Sequence, residues 1–305
     1  MKYLEDAGLF CETFKVNGQI YKILTNSVNI LRMLICENHS MDGLVSDYGP
    51  YMFEMYILVV KGYSNFRIGN SSYNFELDPI SPVTLFSDGD KKFLLIKNSN
   101  DYYSVRWAIS TLLAKAFEEK KDVFSLHASC VVLDEVGTVV FVGSKNAGKS
   151  SLITTLLTRY GGRFVSDDTT MIDCSQENVV CFGMFGGLNL VEDNKYRIRR
   201  KMYAANFNST TQKNRYIVKK DMREPLAKVD FLVFPNWKDC HNNDCELLPY
   251  NLSGEVLQRN MVFDFNQNYA YLHNKFLKAN IPAYEFKMCN DIDKNCVFLI
   301  DTLKG

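Results

Sequence analysis

The feature that most constrains this chain is a glycine-rich segment near its middle. Residues 143–150 read Gly-Ser-Lys-Asn-Ala-Gly-Lys-Ser, which matches the pattern GxxxxGK[ST] at every fixed position. A β-branched stretch, Thr138–Val142, precedes the segment, and Ser151–Tyr160, with leucines on one side, follows it. The order predicts a strand, a phosphate-binding loop and a helix, as in the core of an α/β nucleotide-binding domain.

The residue types in this loop explain its chemistry. Glycines at both ends let the backbone form a concave ring of N–H groups around phosphate oxygens, and the helix N-terminus adds partial positive charge. Lys149 is expected to bridge the β- and γ-phosphates of a nucleotide, and the Ser150 hydroxyl to ligate Mg²⁺. The residues expected to bind the nucleotide are Gly143, Ser144, Lys145, Asn146, Ala147, Gly148, Lys149, Ser150 and Ser151.

Two adjacent aspartates form a second candidate site. Asp167 and Asp168 follow a predicted strand, Arg163–Ser166, that comes after Gly161-Gly162. Successive side chains on a strand point to opposite faces, so both carboxylates can serve one site only where the strand ends and the backbone turns. Ligands of such sheets bind there. One carboxylate would hold Mg²⁺ and the other would accept a proton from an attacking hydroxyl, although a solvated turn is the alternative interpretation.

Two other classes of phosphate-loop protein are disfavoured by the sequence. A GTPase needs an Asn-Lys-x-Asp motif, whereas residues 194–197 read Asn-Lys-Tyr-Arg. The Leu-Ser-Gly-Gly-Gln signature of ABC ATPases is matched only in part by Leu252–Glu255, and no strand ending in Asp-Glu follows it. Ser253 serves equally well there as the N-cap of a helix that we predict over Ser253–Asn260.

The remaining pattern predicts two modules, with a boundary between residues 122 and 123. Residues 1–122 are expected to form a β-rich N-terminal module that ends in a helix over Tyr102–Lys120, where apolar residues recur at helical spacing. A hairpin around Asn17-Gly18 is expected near its start. Its other predicted strands are Tyr51–Val60, Tyr73–Leu77 and Phe93–Lys97. Residues 123–305 are expected to hold the nucleotide-binding core, including a buried strand at Val229–Phe234, which makes the chain α+β overall.

The charge balance and the length of the apolar runs indicate which kinds of partner to expect. Thirty-five basic residues balance 35 acidic ones, so we expect no nucleic-acid partner. The longest apolar runs, such as Tyr56–Val60, fall far short of the roughly 20 residues of a membrane helix, and Met1–Asp6 is acidic where a signal peptide would be basic. We therefore expect a cytoplasmic protein with no membrane partner. We expect the nine cysteines to be reduced thiols. The spacing of Cys240, His241 and Cys245 matches no common zinc-binding pattern.

A run of motifs spans residues 124–173. It consists of Leu126-His127-Ala128-Ser129, a turn and strand, the Gly143–Ser150 loop, a short helix, and a strand that ends in Asp167-Asp168. This run resembles the HPr kinase/phosphorylase family, whose core is related to ATP-dependent phosphoenolpyruvate carboxykinase. A weaker similarity continues to about residue 262. The resemblance implies a P-loop kinase domain of that α/β type over residues 123–305.

Three departures from the family pattern indicate an outer branch. Ala128–Cys130 stands where Gly-Val-Leu is expected, Ser151 replaces the usual glutamate, and the Glu-x-Arg-Gly-x-Gly segment is missing. Neither HPr as a substrate nor dephosphorylation is therefore expected. The chain looks more like the stand-alone HPr-kinase-like proteins of peptide biosynthesis clusters, some of which phosphorylate a serine on a precursor peptide.

The resemblance also implies roles for individual residues. ATP would be bound by the Gly143–Ser150 loop, Mg²⁺ by Ser150 and Asp168, and Asp167 would be the general base, although the order of the two aspartates stays open. His127 would lie near the transferred phosphate. The basic run Arg197, Arg199, Arg200 and Lys201, or Arg215, could clamp the γ-phosphate or an acidic acceptor, and a solvated charge run explains the former equally well.

Three functions are consistent with these features. The first is a Mg-ATP-dependent kinase acting on a serine of a peptide or small protein, as a monomer or a homo-oligomer. The second is a kinase that phosphorylates a hydroxyl of a small metabolite. The third is a non-catalytic nucleotide-binding regulatory module, which the pair Asp167-Asp168 disfavours, because a pure binder needs only one metal-binding carboxylate.

Overall fold

The chain divides into two compact units, Met1–Leu113 and Ala114–Gly305. A computed structural model describes residues 2–4, 8–17, 19–37, 53–60, 63–68, 71–76, 83–88, 91–98, 102–119, 122–191, 202–208, 213–237, 244–263 and 265–305. The basic run Arg197–Lys201 and the pair Cys240-His241 lie outside these residues. Within the described part, no helix is both long enough and apolar enough to span a membrane.

The first unit is built on a six-stranded sheet. Its strands are β1 (Lys2–Leu4), β2 (Leu9–Val16), β3 (Gln19–Thr25), β4 (Glu54–Val59), β5 (Tyr63–Ile68), β6 (Ser71–Glu76), β7 (Val83–Asp88) and β8 (Lys91–Ile96), and its helices are α1 (Val28–Glu37) and the first part of α2 (Tyr102–Glu118). The sheet order is β1-β2-β3-β4-β8-β7, and β5 pairs with β6 separately.

The sequence pattern predicted six of these ten elements and missed β1, β5, β7 and α1. The expected hairpin forms between β2 and β3, with Asn17 at a positive φ of 43°. The expected strands overlap β4, β6 and β8, and the expected helix is α2. Helix α1 buries Ile30, Leu31 and Leu34. These positions have helical spacing, but the β-branched residues around them favour a strand when the segment is read locally.

The second unit contains 13 described strands, most of which follow one another between α3 and α4. Its strands are β9 (Val123–Leu126), β10 (Ala128–Leu133), β11 (Gly137–Val142), β12 (Arg163–Ser166), β13 (Thr170–Asp173), β14 (Val180–Gly183), β15 (Gly187–Val191), β16 (Met202–Asn208), β17 (Lys213–Val218), β18 (Leu226–Lys228), β19 (Phe231–Asn236), β20 (Glu246–Pro249) and β21 (Ala283–Lys287). Its helices after α2 are α3 (Lys149–Arg159), α4 (Gly254–Arg259), α5 (Tyr269–Lys278) and α6 (Ile292–Lys304).

The central sheet of this unit runs in the order β12-β10-β11-β19-β21-β20. Strand β11 is parallel to β19, and β19 is parallel to β21, so the carboxyl ends of these three strands share one edge of the sheet. A second sheet has the order β18-β14-β13-β9, and a third has β15-β17-β16. The second unit therefore has a mixed α/β architecture, in which the glycine loop follows β11 at the edge where the parallel strands end.

Strand β11 lies at the centre of the core because both of its faces are covered. Val139 and Phe141 pack in the cluster that contains residues of α3 and α6, whereas Val140 and Val142 pack in the cluster that contains residues of α4 and α5. A strand buried on both sides has to be apolar at every position, which explains the unbroken Val-Val-Phe-Val run. This packing fixes the position of the loop that follows Val142.

Within the second unit, a buried carboxylate, Glu118, ties the end of α2 to β9 and to the segment before α5. It is 1% exposed and accepts hydrogen bonds from the backbone N–H and hydroxyl of Ser125 and from the N–H groups of Phe265 (2.9 Å) and Asn266 (3.2 Å). Burial raises the pKa of Glu118 above its ordinary value of 4.5, and these hydrogen bonds oppose the rise. The carboxylate therefore supplies the acceptors for donors that water cannot reach.

Replacing Glu118 by alanine should lower the free energy of unfolding by about 2 to 4 kcal/mol, because buried donors lose their acceptors. In the native protein, stability should fall as pH rises from the ordinary carboxyl pKa through the raised one, because the folded state then loses a proton that it binds more tightly than the unfolded state. The variant should lack this decline. Urea unfolding across a pH series measures both effects. The exposed neighbour Glu119, changed to alanine, is the control, and equal losses in the two variants would contradict the assignment.

Candidate functional site

The glycine loop lies at the carboxyl end of β11, and Gly148 is the N-cap of α3. Asn146 and Gly148 have positive φ angles of 69° and 91°, which turn the backbone into the helix. Glycine suits Gly148 because of this positive φ; a Cβ atom there would only make ordinary contact with the side chain of Met288, at 3.4 Å. Helix α3 begins at Lys149, two residues earlier than the leucine spacing alone predicted.

Lys149 is the buried cation of the loop. It is only 5% exposed, and its Nζ donates to the carbonyl oxygens of Gly143 (2.7 Å) and Ser144 (2.9 Å). The ammonium group therefore lies against the backbone of its own loop, where phosphate oxygens would compete with these carbonyls for its protons. A buried ammonium ion gains much more from a charged oxygen than from a carbonyl oxygen.

Asp167 joins the strand end to the loop. Its Oδ1 accepts from the hydroxyls of Ser129 (2.6 Å) and Ser150 (2.9 Å), and its Oδ2 accepts from the N–H of Asn189 (3.2 Å). Only 8% of the residue is exposed. Burial raises the pKa of Asp167, the adjacent charge of Asp168 raises it further, and the three hydrogen bonds oppose the rise.

Asp168 lies where the backbone turns. Its φ of 64° is left-handed, and the N–H of Thr169 donates to the carbonyl of Asp167 at 2.8 Å, which closes a tight turn directly after β12. Oδ2 of Asp168 accepts from the side-chain amide of Asn189 at 2.6 Å. Asn189 thus binds both carboxylates, so the strand end brings the two side chains to one site.

Ser129 and Asn189 hold this site together, and the sequence pattern did not identify either of them. Ser129 is a fully buried hydroxyl on the otherwise apolar strand β10, and a buried hydroxyl needs a partner, which is the signal that could have indicated it. Asn189 lies on β15, in a different sheet from β12. No local pattern links these two strands, so only the tertiary fold identifies Asn189.

Arg215 lies on the same sheet face as Asn189. The two residues are directly opposite in the β15–β17 pair, so their side chains share a face. A Cβ atom at Gly187 would lie 3.0 Å from Nη2 of Arg215, and the guanidinium of Arg223 covers the neighbouring Gly186 in the same way. Arg215 is 5% exposed. A buried positive charge therefore lies on β17, directly opposite the strand that binds the carboxylates, and Gly187 leaves room for it.

His127 contacts the loop through its backbone. Its N–H donates to the carbonyl of Asn260 at 2.6 Å, and its carbonyl accepts from the N–H of Gly143 at 3.3 Å. The residue is half-buried between β9 and β10. Across the described residues, no three or more His, Cys, Asp or Glu side chains cluster as a metal site would require, so a cation here would depend on hydroxyl and phosphate oxygens as well as the carboxylates.

Comparisons with known proteins add little to this geometry. No protein-family model matches the chain, and no curated protein matches it. Among solved structures, the HPr(Ser) kinase/phosphatase from Coxiella burnetii matches with a TM-score of 0.30 and 14% sequence identity, over 59% of this chain and 92% of that one. A likeness this distant carries no argument about function, which has to rest on the contacts described above.

Proposed function

We propose that this chain is a Mg-ATP-dependent kinase that transfers the γ-phosphoryl group of ATP to a serine hydroxyl of a peptide or small protein. The observation that carries the proposal is the hydrogen bond between Ser150 and Asp167. It joins the last residue of a phosphate-loop motif to a pair of carboxylates. Phosphate binding alone needs the loop, whereas phosphoryl transfer also needs a cation site and a proton acceptor.

The residues at this site have the chemistry needed to bind Mg²⁺ and a nucleoside triphosphate. Ser150, Asp167 and Asp168 offer hydroxyl and carboxylate oxygens, which are the ligands that Mg²⁺ prefers. The mutual repulsion of the two carboxylates, which contributes to the raised pKa of Asp167, would be relieved by a cation. Lys149 and the loop N–H groups suit phosphate oxygens. When bound, Mg²⁺ would neutralise charge on the phosphates.

In the transfer step, the protein itself forms no covalent bond to the phosphoryl group. The acceptor oxygen forms a bond to the γ-phosphorus, the bond from that phosphorus to the β–γ bridging oxygen breaks, and ADP leaves. The proton of the acceptor hydroxyl passes to a carboxylate of the aspartate pair. The loop and Lys149 hold the phosphates in place, and positioning of this kind supplies most of the rate. Arg215 and His127 are proposed to lie near the transferred group.

The contacts of the two aspartates favour a reversal of the roles that the family resemblance implied. Asp167 is held by three protein donors and is joined to Ser150, the proposed Mg²⁺ ligand, so we assign it to the metal. Asp168 is more exposed and lies on the turn itself, so we assign it as the general base. The positive φ of Asp168 is compatible with this assignment, because strained backbone is common at catalytic positions.

Two alternative functions remain to be tested. The first is a kinase that phosphorylates a metabolite, and the second is a nucleotide-binding module that transfers no phosphate. The serine-peptide acceptor rests on the resemblance to peptide kinases, so a metabolite hydroxyl is tested beside it. A non-catalytic module would not need both carboxylates, and the binding of both by Asn189 favours the kinase.

Incubation with Mg-ATP and a pool of serine-containing peptides should add about 80 Da, the mass of one phosphoryl group, to at least one peptide. Intact-mass analysis measures the gain, which the Asp168→Asn variant, lacking the proposed general base, should produce at least about a hundredfold more slowly. A parallel pool of hydroxyl-bearing metabolites tests the second acceptor class. ATP binding without transfer to any acceptor in either pool would count against a kinase and favour a nucleotide-binding module.

A further inference from the structure

Two apolar side chains lie against the glycine that caps α3. A Cβ atom at Gly148 would lie 3.7 Å from Cε3 of Trp237 and 3.4 Å from Sδ and Cε of Met288. Trp237 directly follows β19 and Met288 directly follows β21, so both come from the sheet edge at which β11 ends. Met288 is buried, whereas Trp237 is 38% exposed. The indole therefore both contacts the loop and presents surface to solvent.

The order of the strands indicates which way a nucleotide bound in the loop would be oriented. In the central sheet β12, which leads into Asp167, lies on one side of β11, and β19 and β21 lie on the other side. A triphosphate in the loop with its γ-phosphate at the aspartates would have its opposite end directed toward β19 and β21. That end carries the ribose and the base. Trp237 and Met288 thus lie on the side that the nucleoside would occupy.

We propose that the exposed surface of Trp237 is the platform on which the nucleobase stacks, with Met288 supporting the loop behind it. This inference rests on the proposed function, because it assumes that the loop binds a nucleotide. Every base has a π-face, and stacking on an aromatic side chain contributes about 1 to 3 kcal/mol to binding. The indole lies beside Gly148 of the phosphate-binding loop, so the proposed base subsite would adjoin the phosphate subsite.

Binding of ATP is compared with binding of inorganic tripolyphosphate, which lacks a base, by calorimetry in the presence of Mg²⁺. Trp237→Ala should weaken ATP binding about 10-fold, within the range expected for one stacked base, and should leave tripolyphosphate binding within about twofold. Trp237→Phe should restore most of the ATP affinity because it keeps an aromatic face. Trp107→Ala, at an exposed tryptophan in α2, should change the affinity for neither ligand.

The outcomes separate this inference from the function on which it rests. If Trp237→Ala weakens the binding of both ligands equally, the indole only supports the loop and the inference is wrong. If the native protein binds tripolyphosphate as tightly as ATP, the base subsite is wrong while the phosphate site stands. If the native protein binds neither ligand, the nucleotide-binding function falls and the inference falls with it.

Fluorescence offers a second readout, because the chain has two tryptophans, Trp107 and Trp237. In a Trp107→Phe variant the remaining signal comes from Trp237. ATP should change this emission at saturation, whereas tripolyphosphate should leave it nearly unchanged, since only a stacked base contacts the indole. An equal response to both ligands would contradict the stacking.

Discussion

Replacing Lys149 by methionine should weaken ATP binding by about 10- to 100-fold and reduce phosphoryl transfer by about a thousandfold or more. The binding loss follows from hydrogen bonds to a charged group, each worth about 1.5 to 3 kcal/mol. The transfer loss is larger because negative charge develops on the leaving β–γ bridging oxygen in the transition state, where the ammonium of Lys149 would stabilise it. Methionine keeps the length and the apolar stem, so the buried side chain is still packed while its charge is removed.

Lys145→Met is the matched control, because Lys145 lies in the same loop but is exposed. It should change ATP affinity by less than about threefold, since an exposed charge is screened by solvent. Calorimetry with ATP and a transfer assay on the acceptor peptide measure both variants, and thermal unfolding checks that each is folded. Equal losses in the two variants would mean that the loop attracts ATP by general charge, without a dedicated lysine.

The segment around the loop could be predicted closely because its signals are local. Strand β12 has the predicted bounds, Arg163–Ser166, and Ser253 caps α4 by accepting from the N–H of Val256 at 3.3 Å. Strand β11 is one residue longer than the β-branched run that indicated it. Glycines, capping residues and the spacing of leucines act over a few positions, so they are readable without the fold.

The parts that the sequence did not yield depend on contacts between distant segments. Trp237 follows β19, the parallel partner of β11, and Met288 follows β21, the parallel partner of β19. Both strands are far from β11 along the chain, so no local pattern indicates that they lie beside the loop. Asn189 reaches the aspartates across two sheets for the same reason. The sequence supplied the residues of the candidate site that carry charge, and the fold supplied the neutral residues that orient them.

The two aspartates should differ in how their loss depends on Mg²⁺. Asp167→Asn can still accept hydrogen bonds from Ser129 and Ser150 through its amide oxygen, but it lacks the charge that holds a cation. We expect it to need about tenfold more Mg²⁺ for half-maximal transfer, with part of the rate recovered at high Mg²⁺. A Mg²⁺ titration of the initial transfer rate at saturating ATP measures this requirement.

Asp168→Asn should instead lower the transfer rate by about a hundredfold or more at every Mg²⁺ concentration, because a general base typically contributes 10²- to 10⁴-fold. Its Mg²⁺ requirement should stay within about threefold of the native value. The amide of asparagine can still pair with Asn189, so the turn after β12 should survive, and a normal unfolding transition would show this. If Asp168→Asn raises the Mg²⁺ requirement while Asp167→Asn does not, the roles follow the order that the family resemblance implied. The hydrogen bond from Ser150 to Asp167 would then be exchanged for contacts with Mg-ATP when it binds.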